Sequence, residues 1–171
     1  MDNTHETVDP PAEAVFSPED DLSVLWGKAY QGEVSGEIVF GGFGARREDP
    51  DQRRKMTVLR LLEVRTREAC VPAMIRNGLS ADPDPQTVKE AEALAEAVAP
   101  LAWSEFIGAF ESITTQFLAL YRRIGEISPD DRAESDLLVA HEEALREFAR
   151  RELAGRTDDS LALIEALPHM S

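Results

Sequence analysis

The chain has one cysteine, few aromatic residues and only short β-branched runs. No apolar stretch approaches the roughly 18–20 residues that a membrane span requires. A lone thiol, Cys70, excludes an intrachain disulfide and fits a reducing compartment, so a cytoplasmic location is expected. With no histidine beside it on its helix, Cys70 reads as a buried structural thiol. Positive charge is outnumbered, with 18 Lys and Arg against 33 Asp and Glu. The formal net charge of −15 repels phosphates and anionic lipid, which argues against nucleic acid and membrane as partners. Met1 to Phe16 has no basic segment leading into an apolar one and is not expected to be a signal peptide.

What is abundant is Ala, Leu, Glu and Arg, a helix-favouring set on a chain of 171 residues, long enough for one domain with a real core. Charge is unevenly spread. Met1 to Asp21 holds seven acids and no Lys or Arg, whereas Arg46 to Arg76 holds nine basic residues against five acidic ones. The basic stretch reads as the solvated face of a helix, with an acidic tail or an anionic substrate docking there as the alternative.

Helix boundaries are written plainly. Ser17-Pro18, Asp49-Pro50, Asp84-Pro85 and Ser128-Pro129 each pair a capping side chain with a proline suited to a first helical turn. Gly78, Gly125 and Gly155 read as helix ends. Four long helices are therefore expected, over Pro18–Arg47, Pro50–Asn77, Pro100–Ile124 and Pro129–Ala154. Shorter helices are expected over Pro85–Ala99 and Asp159–Leu167. Two short connections and one long crossover give two antiparallel hairpins. Residues 1–16 read as a disordered acidic arm, 17–155 as a helical bundle, and 156–171 as a short helix and tail. Gly41-Gly42-Phe43-Gly44 lacks the strand and spacing of a phosphate loop and is expected to fray or kink the first helix.

The feature that stands out is acid on apolar faces. Leu22, Trp26, Ala29, Glu33, Gly36 and Phe40 share one helix face, which turns Glu33 toward the core. Glu63 lies within the stripe Met56, Leu59, Thr66, Cys70 and Ala73. Glu111 borders Phe106, Phe110, Thr114, Phe117 and Tyr121, and His141-Glu142 borders Leu138 and Leu145. Symmetry about the two short turns places Glu33 level with Glu63, and Glu111 level with Glu142. Glu37 and Tyr30 extend the column on the first helix. A buried carboxylate must be paired, neutralised or ligated to a cation. All three outcomes remain open on the residues alone: pairing with inward Arg, Tyr or Thr groups, a metal site, or a metal-free polar pocket. His5 and His169 have no partner in sequence and read as incidental.

The hairpin–crossover–hairpin plan, with Tyr30-Gln31-Gly32-Glu33-Val34-Ser35-Gly36-Glu37 and His141-Glu142-Glu143-Ala144-Leu145, resembles the ferritin-like superfamily and its rubrerythrin-type four-helix bundles. That resemblance spans about Asp20 to Gly155. It implies an all-α fold and a metal-dependent oxidoreductase carrying one or two iron or manganese ions that act on dioxygen or peroxide. It implies Glu33 and Glu111 as single carboxylate ligands and Glu63 and Glu142 as bridging ones, with His141 in reach. Trp26, Tyr30, Trp103, Phe106 and Phe110 would wall the site, and a homodimer is expected by analogy. The chain departs from the family pattern where Thr66 and Leu145 stand three residues after Glu63 and Glu142 in place of histidine, so the di-iron ligand set is incomplete. The alternative is a metal-free bundle of the same kind acting as a binding or protein-interaction module.

Overall fold

In the computed structural model, which describes residues 15–171, the chain is all-helical, with no strand among those residues. The helices are α1 (Leu22–Ala45), α2 (Pro50–Arg76), α3 (Pro85–Val98), α4 (Trp103–Ile127), α5 (Arg132–Leu153) and the short α6 (Ala162–Glu165). Three-ten turns occupy Pro129–Asp131 and Pro168–Met170. No described helix is long and apolar enough to cross a membrane.

Local chemistry accounts for most boundaries. Asp49 accepts from the Asp51 amide at 2.8 Å and Asp84 from the Thr87 amide at 2.9 Å, each just ahead of a proline at the helix start. Gly78 and Gly155 follow α2 and α5 with φ of 70° and 75°, a conformation that costs other residues more. Elsewhere the expected boundaries shift. The cap of α1 is Asp21, whose carboxylate accepts from the Val24 amide at 3.0 Å, and Ser17-Pro18 forms a turn ahead of it. Pro129 opens a three-ten turn rather than α5. Asp131 within that turn accepts from the Trp26 indole, Arg76, Asn77 and the Ser128 hydroxyl, pinning the start of α5 to α1 and α2. Gly125 does not end α4. It lies within the helix, where an added Cβ would stand 2.5 Å from the Ser135 hydroxyl of α5. The glycines near the end of α1 do not fray it, since the helix runs on through them to Ala45. Gly42 lets α3 approach, since a Cβ there would stand 2.8 Å from the Ala95 methyl.

The expected acidic arm falls largely on residues 1–14, outside the described residues, as does His5. Its last two residues, Val15 and Phe16, pack against the core. The basic stretch is used within the chain. Arg67 and Arg60 pair with Glu37 of α1, and Arg47 donates to the backbone oxygens of Ala99 and Leu101.

α1 packs along α2 and α4 along α5, while α1 also meets α4, α2 meets α5, and α3 lies against α1. The apolar core is split in two. One half joins Phe40 and Phe43 of α1, Met56 to Leu62 of α2, Phe106 to Phe110 of α4 and Ala144 to Ala149 of α5. The other joins Leu25 to Val34, Cys70 to Met74, Leu120 to Ile124 and Leu138 of the same helices. The order of the halves reverses between α1 and α2 and between α4 and α5, so each of those pairs is antiparallel. Glu33, Glu63, Thr66, Thr114, His141 and Glu142, all buried, belong to neither half. They form a polar belt across the middle of the molecule.

Candidate functional site

The belt brings three metal-capable side chains to one point. Glu33 of α1, Glu63 of α2 and His141 of α5 each offer a donor atom, and the three atoms lie within 4.8 Å of one another. Relative exposures of 1%, 4% and 1% leave none of them bulk water as a partner. The His141 Nδ1 stands 3.7 Å from Glu33 Oε2 and its Nε2 stands 3.5 Å from Glu63 Oε1. Glu142, also buried, comes within 3.6 Å of Nε2 through its Oε2.

Neighbouring groups orient these side chains. The Tyr121 hydroxyl of α4 donates to Glu33 Oε1 at 2.8 Å. The Thr66 hydroxyl lies 2.7 Å from His141 Nδ1 and 3.0 Å from His169 Nε2. A single hydroxyl proton serves this chain in one of two directions. If Nδ1–H donates to Thr66, and Thr66 to His169, the Nε2 lone pair of His141 faces Glu63 and Glu142. Gly36 makes room for the acid: a Cβ there would stand 2.6 Å from the Glu63 carboxyl carbon.

Burial dominates the electrostatics. It pushes Glu33 up to about 8, helped by the nearby Glu63 and opposed by His141 and Tyr121. Burial also pushes Glu63 up to about 8 and Glu142 well above the ordinary carboxyl range. The same desolvation lowers His141 and, with the proximity of His141, lowers His169. At neutral pH the metal-free cluster therefore holds its protons on the acids. Glu33 and Glu63 also meet side chain to side chain, so a proton on one carboxyl serves the other, and no amide, hydroxyl or cationic donor among the described residues faces Glu33 Oε2.

Two further acids expected at the site are elsewhere. Glu111 is half-buried, with Oε1 3.5 Å from Arg150 Nε, and the belt position on α4 is taken by Thr114, whose hydroxyl donates to the Glu111 backbone oxygen. Glu37 is bound to Arg67 at 2.7 Å. Tyr30 is turned away too, donating to the Ala81 backbone oxygen at 2.6 Å, so it braces the α2–α3 loop. Of the expected wall, Phe106 and Phe110 stand beside the acids, while the Trp26 indole is committed to Asp131 and that of Trp103 to Glu152. His169, which has no partner in sequence, reaches the site through Thr66. It arrives on the chain's return after α6, a contact 103 residues distant from Thr66 that no local pattern encodes. Tyr121 carries a usable signal, a phenol on an apolar helix face that needs a polar partner.

Beside the acids a pocket of about 250 Å³ opens between α1, α3 and α4, with Glu33, Glu63 and Glu142 at its inner end. Comparison with protein-family models, curated proteins and solved structures finds no match.

Proposed function

We propose that this chain is a metal-dependent oxidoreductase on a ferritin-like four-helix bundle, with iron or manganese held by Glu33, Glu63 and His141. Glu142 stands at the edge of that donor set. The observation that carries the reading is the convergence of two carboxylates and an imidazole from three helices in the middle of the core. Donors on a metal with bonds of about 2.1 Å lie no more than about 4.2 Å apart, so a contraction of about half an ångström would complete the cradle. Oxygen-rich ligation with one imidazole suits iron or manganese. One histidine and three acids suit one ion better than two.

Each residue has a part in that reading. Tyr121 fixes one oxygen of Glu33 and frees the other. Thr66 holds the His141 ring with Nε2 toward Glu63 and Glu142, the outer support that metal-bound imidazoles generally have. The two core halves above and below shield the site on two sides, and the pocket leaves it reachable from a third. A bound ion would supply the binding and reduction of dioxygen or peroxide.

A second reading, a metal-free bundle acting as a binding or interaction module, draws support from the acids themselves. Protonated at neutral pH, Glu33 and Glu63 are neutral groups that the core tolerates without an ion. Elemental analysis after purification without chelators separates the two. About one iron or manganese per chain, lost in Glu63→Gln and kept in Glu111→Gln, is expected. A chain that is empty as purified and takes up neither Fe(II) nor Mn(II) under anaerobic conditions would refute the metal reading.

A further inference from the structure

The pocket beside the acids has walls of one chemistry and an end of another. Phe40 of α1 and Phe106, Phe110, Ile113 and Phe117 of α4 supply hydrocarbon sides, while the polar end is the carboxyl cluster. Among the described residues no lysine, arginine or histidine lines it. The α1 wall is thinned by Gly32, where a Cβ would stand 2.6 Å from the Phe117 ring, so that ring depends on the glycine for its place. Leu94 of α3 and Ile113 are exposed apolar side chains at the rim. An apolar hollow this close to a buried cluster of acids is more than a packing defect, because cores otherwise close to near-crystalline density.

We infer that this pocket binds a small neutral molecule, mainly hydrocarbon, with one end against Glu33, Glu63 and Glu142. Size follows from volume. A cavity of roughly 150 Å³ holds benzene, so about 250 Å³ admits a molecule of about ten carbon atoms, such as a fused two-ring aromatic. Charge follows from the lining. In the metal-free chain an anionic headgroup would meet three acids with no Lys, Arg or His among the described lining residues to receive it. A cationic one would compete with the metal for the same carboxylates. The molecule's role as substrate rests on the metal-dependent reading above, whereas its binding does not.

The test uses 2-naphthol as probe and the full chain, both as purified and after metal removal, with binding followed by calorimetry and metal content measured on the same samples. One saturable site per chain is expected, weakened at least tenfold in Ala109→Trp and in Leu94→Trp. Both residues are exposed and line the pocket, so a new indole there blocks the pocket without entering the core. Absence of saturable binding, or wild-type binding in both variants, overturns the inference. Binding of 2-naphthoate or 1-naphthylmethylamine to the metal-free chain more than tenfold tighter than 2-naphthol overturns the assignment to a neutral molecule. Naphthol binding by a chain that takes up no metal upholds the pocket and refutes the oxidoreductase reading. Stoichiometric metal without naphthol binding does the reverse.

Discussion

Glu33 and Glu63 hold protons up to about pH 8 because the core around them penalises their charged forms. That penalty has a sign in stability. A carboxyl whose pKa is raised on folding keeps a proton that the unfolded chain has already lost, so the contribution is full below the unfolded value near 4.5 and disappears as pH rises through 8. The lowered histidines act oppositely, since His141 and His169 remain neutral in the fold while the unfolded chain protonates below about 6.5. The two effects overlap at acidic pH, and the clean window runs from 6.5 to 8. Each retained proton changes stability by about 1.4 kcal/mol per pH unit there, so even a single proton shared by the close acid pair gives an expected loss of about 2 kcal/mol across the interval. Urea unfolding of the metal-free chain at pH 6.5 and 8 measures it. Glu63→Gln, which replaces the acid by a neutral group of the same shape, should flatten the slope and leave the chain more stable than wild type at pH 8. Stability that stays constant or rises across this interval in the wild type would show that the acids are ionised in the fold.

At the level of helices, the belt is a matter of register. Each long helix carries apolar residues toward both ends of the core and one polar stretch between: Glu33 on α1, Glu63 and Thr66 on α2, Thr114 on α4, His141 and Glu142 on α5. Three of those four placements are legible in sequence because the acid or histidine falls within a run of residues on one face. The α4 placement is not. Glu111 and Thr114 are three residues apart on a helix whose apolar face is broad, and a shift of one position turns a side chain by about 100°. Which of them points inward is decided by packing against α5, where Arg150 meets Glu111 from outside. The starts of α2 and α3 are legible from an aspartate and a proline, whereas the start of α1 moves to Asp21 because Ser17 and Asp20 close a local turn first. Glycine on α1 is ambiguous for a related reason: sequence marks a missing Cβ without naming the neighbour that fills the space. At Gly42 the neighbour is Ala95 of α3, at 2.8 Å from a Cβ position. Gly42→Val should therefore displace α3 and cost about 1–3 kcal/mol by overpacking. Faster amide hydrogen exchange along Pro85–Val98 than along α5 would accompany it. A variant as stable as wild type would mean that α3 is not held by this contact.

For the whole molecule, burying three acids and a histidine between two apolar half-cores is a stability cost without an evident structural return, the pattern expected where function and stability compete. A cation that binds only the folded chain reverses the account by mass action, adding about 2.7 kcal/mol when present at a hundred times its dissociation constant. For a domain of this size each kcal/mol moves the melting temperature by roughly 2–4 °C, so saturating Mn(II) should raise it by about 5–10 °C. The pH dependence then gives a sharper reading than the shift alone. Because bound carboxylates must shed the protons that Glu33 and Glu63 hold, affinity rises with pH over the interval in which the metal-free chain weakens. The rise in melting temperature with Mn(II) should accordingly be larger at pH 8 than at pH 6.5, and it should vanish in Glu33→Gln. The formal net charge of −15, most of it from acids outside the core, also attracts divalent cations, but that attraction is screened by salt and does not depend on one residue. A shift of equal size in wild type and Glu33→Gln, abolished by 0.5 M sodium chloride, would assign the effect to the surface and leave the polar belt without an ion.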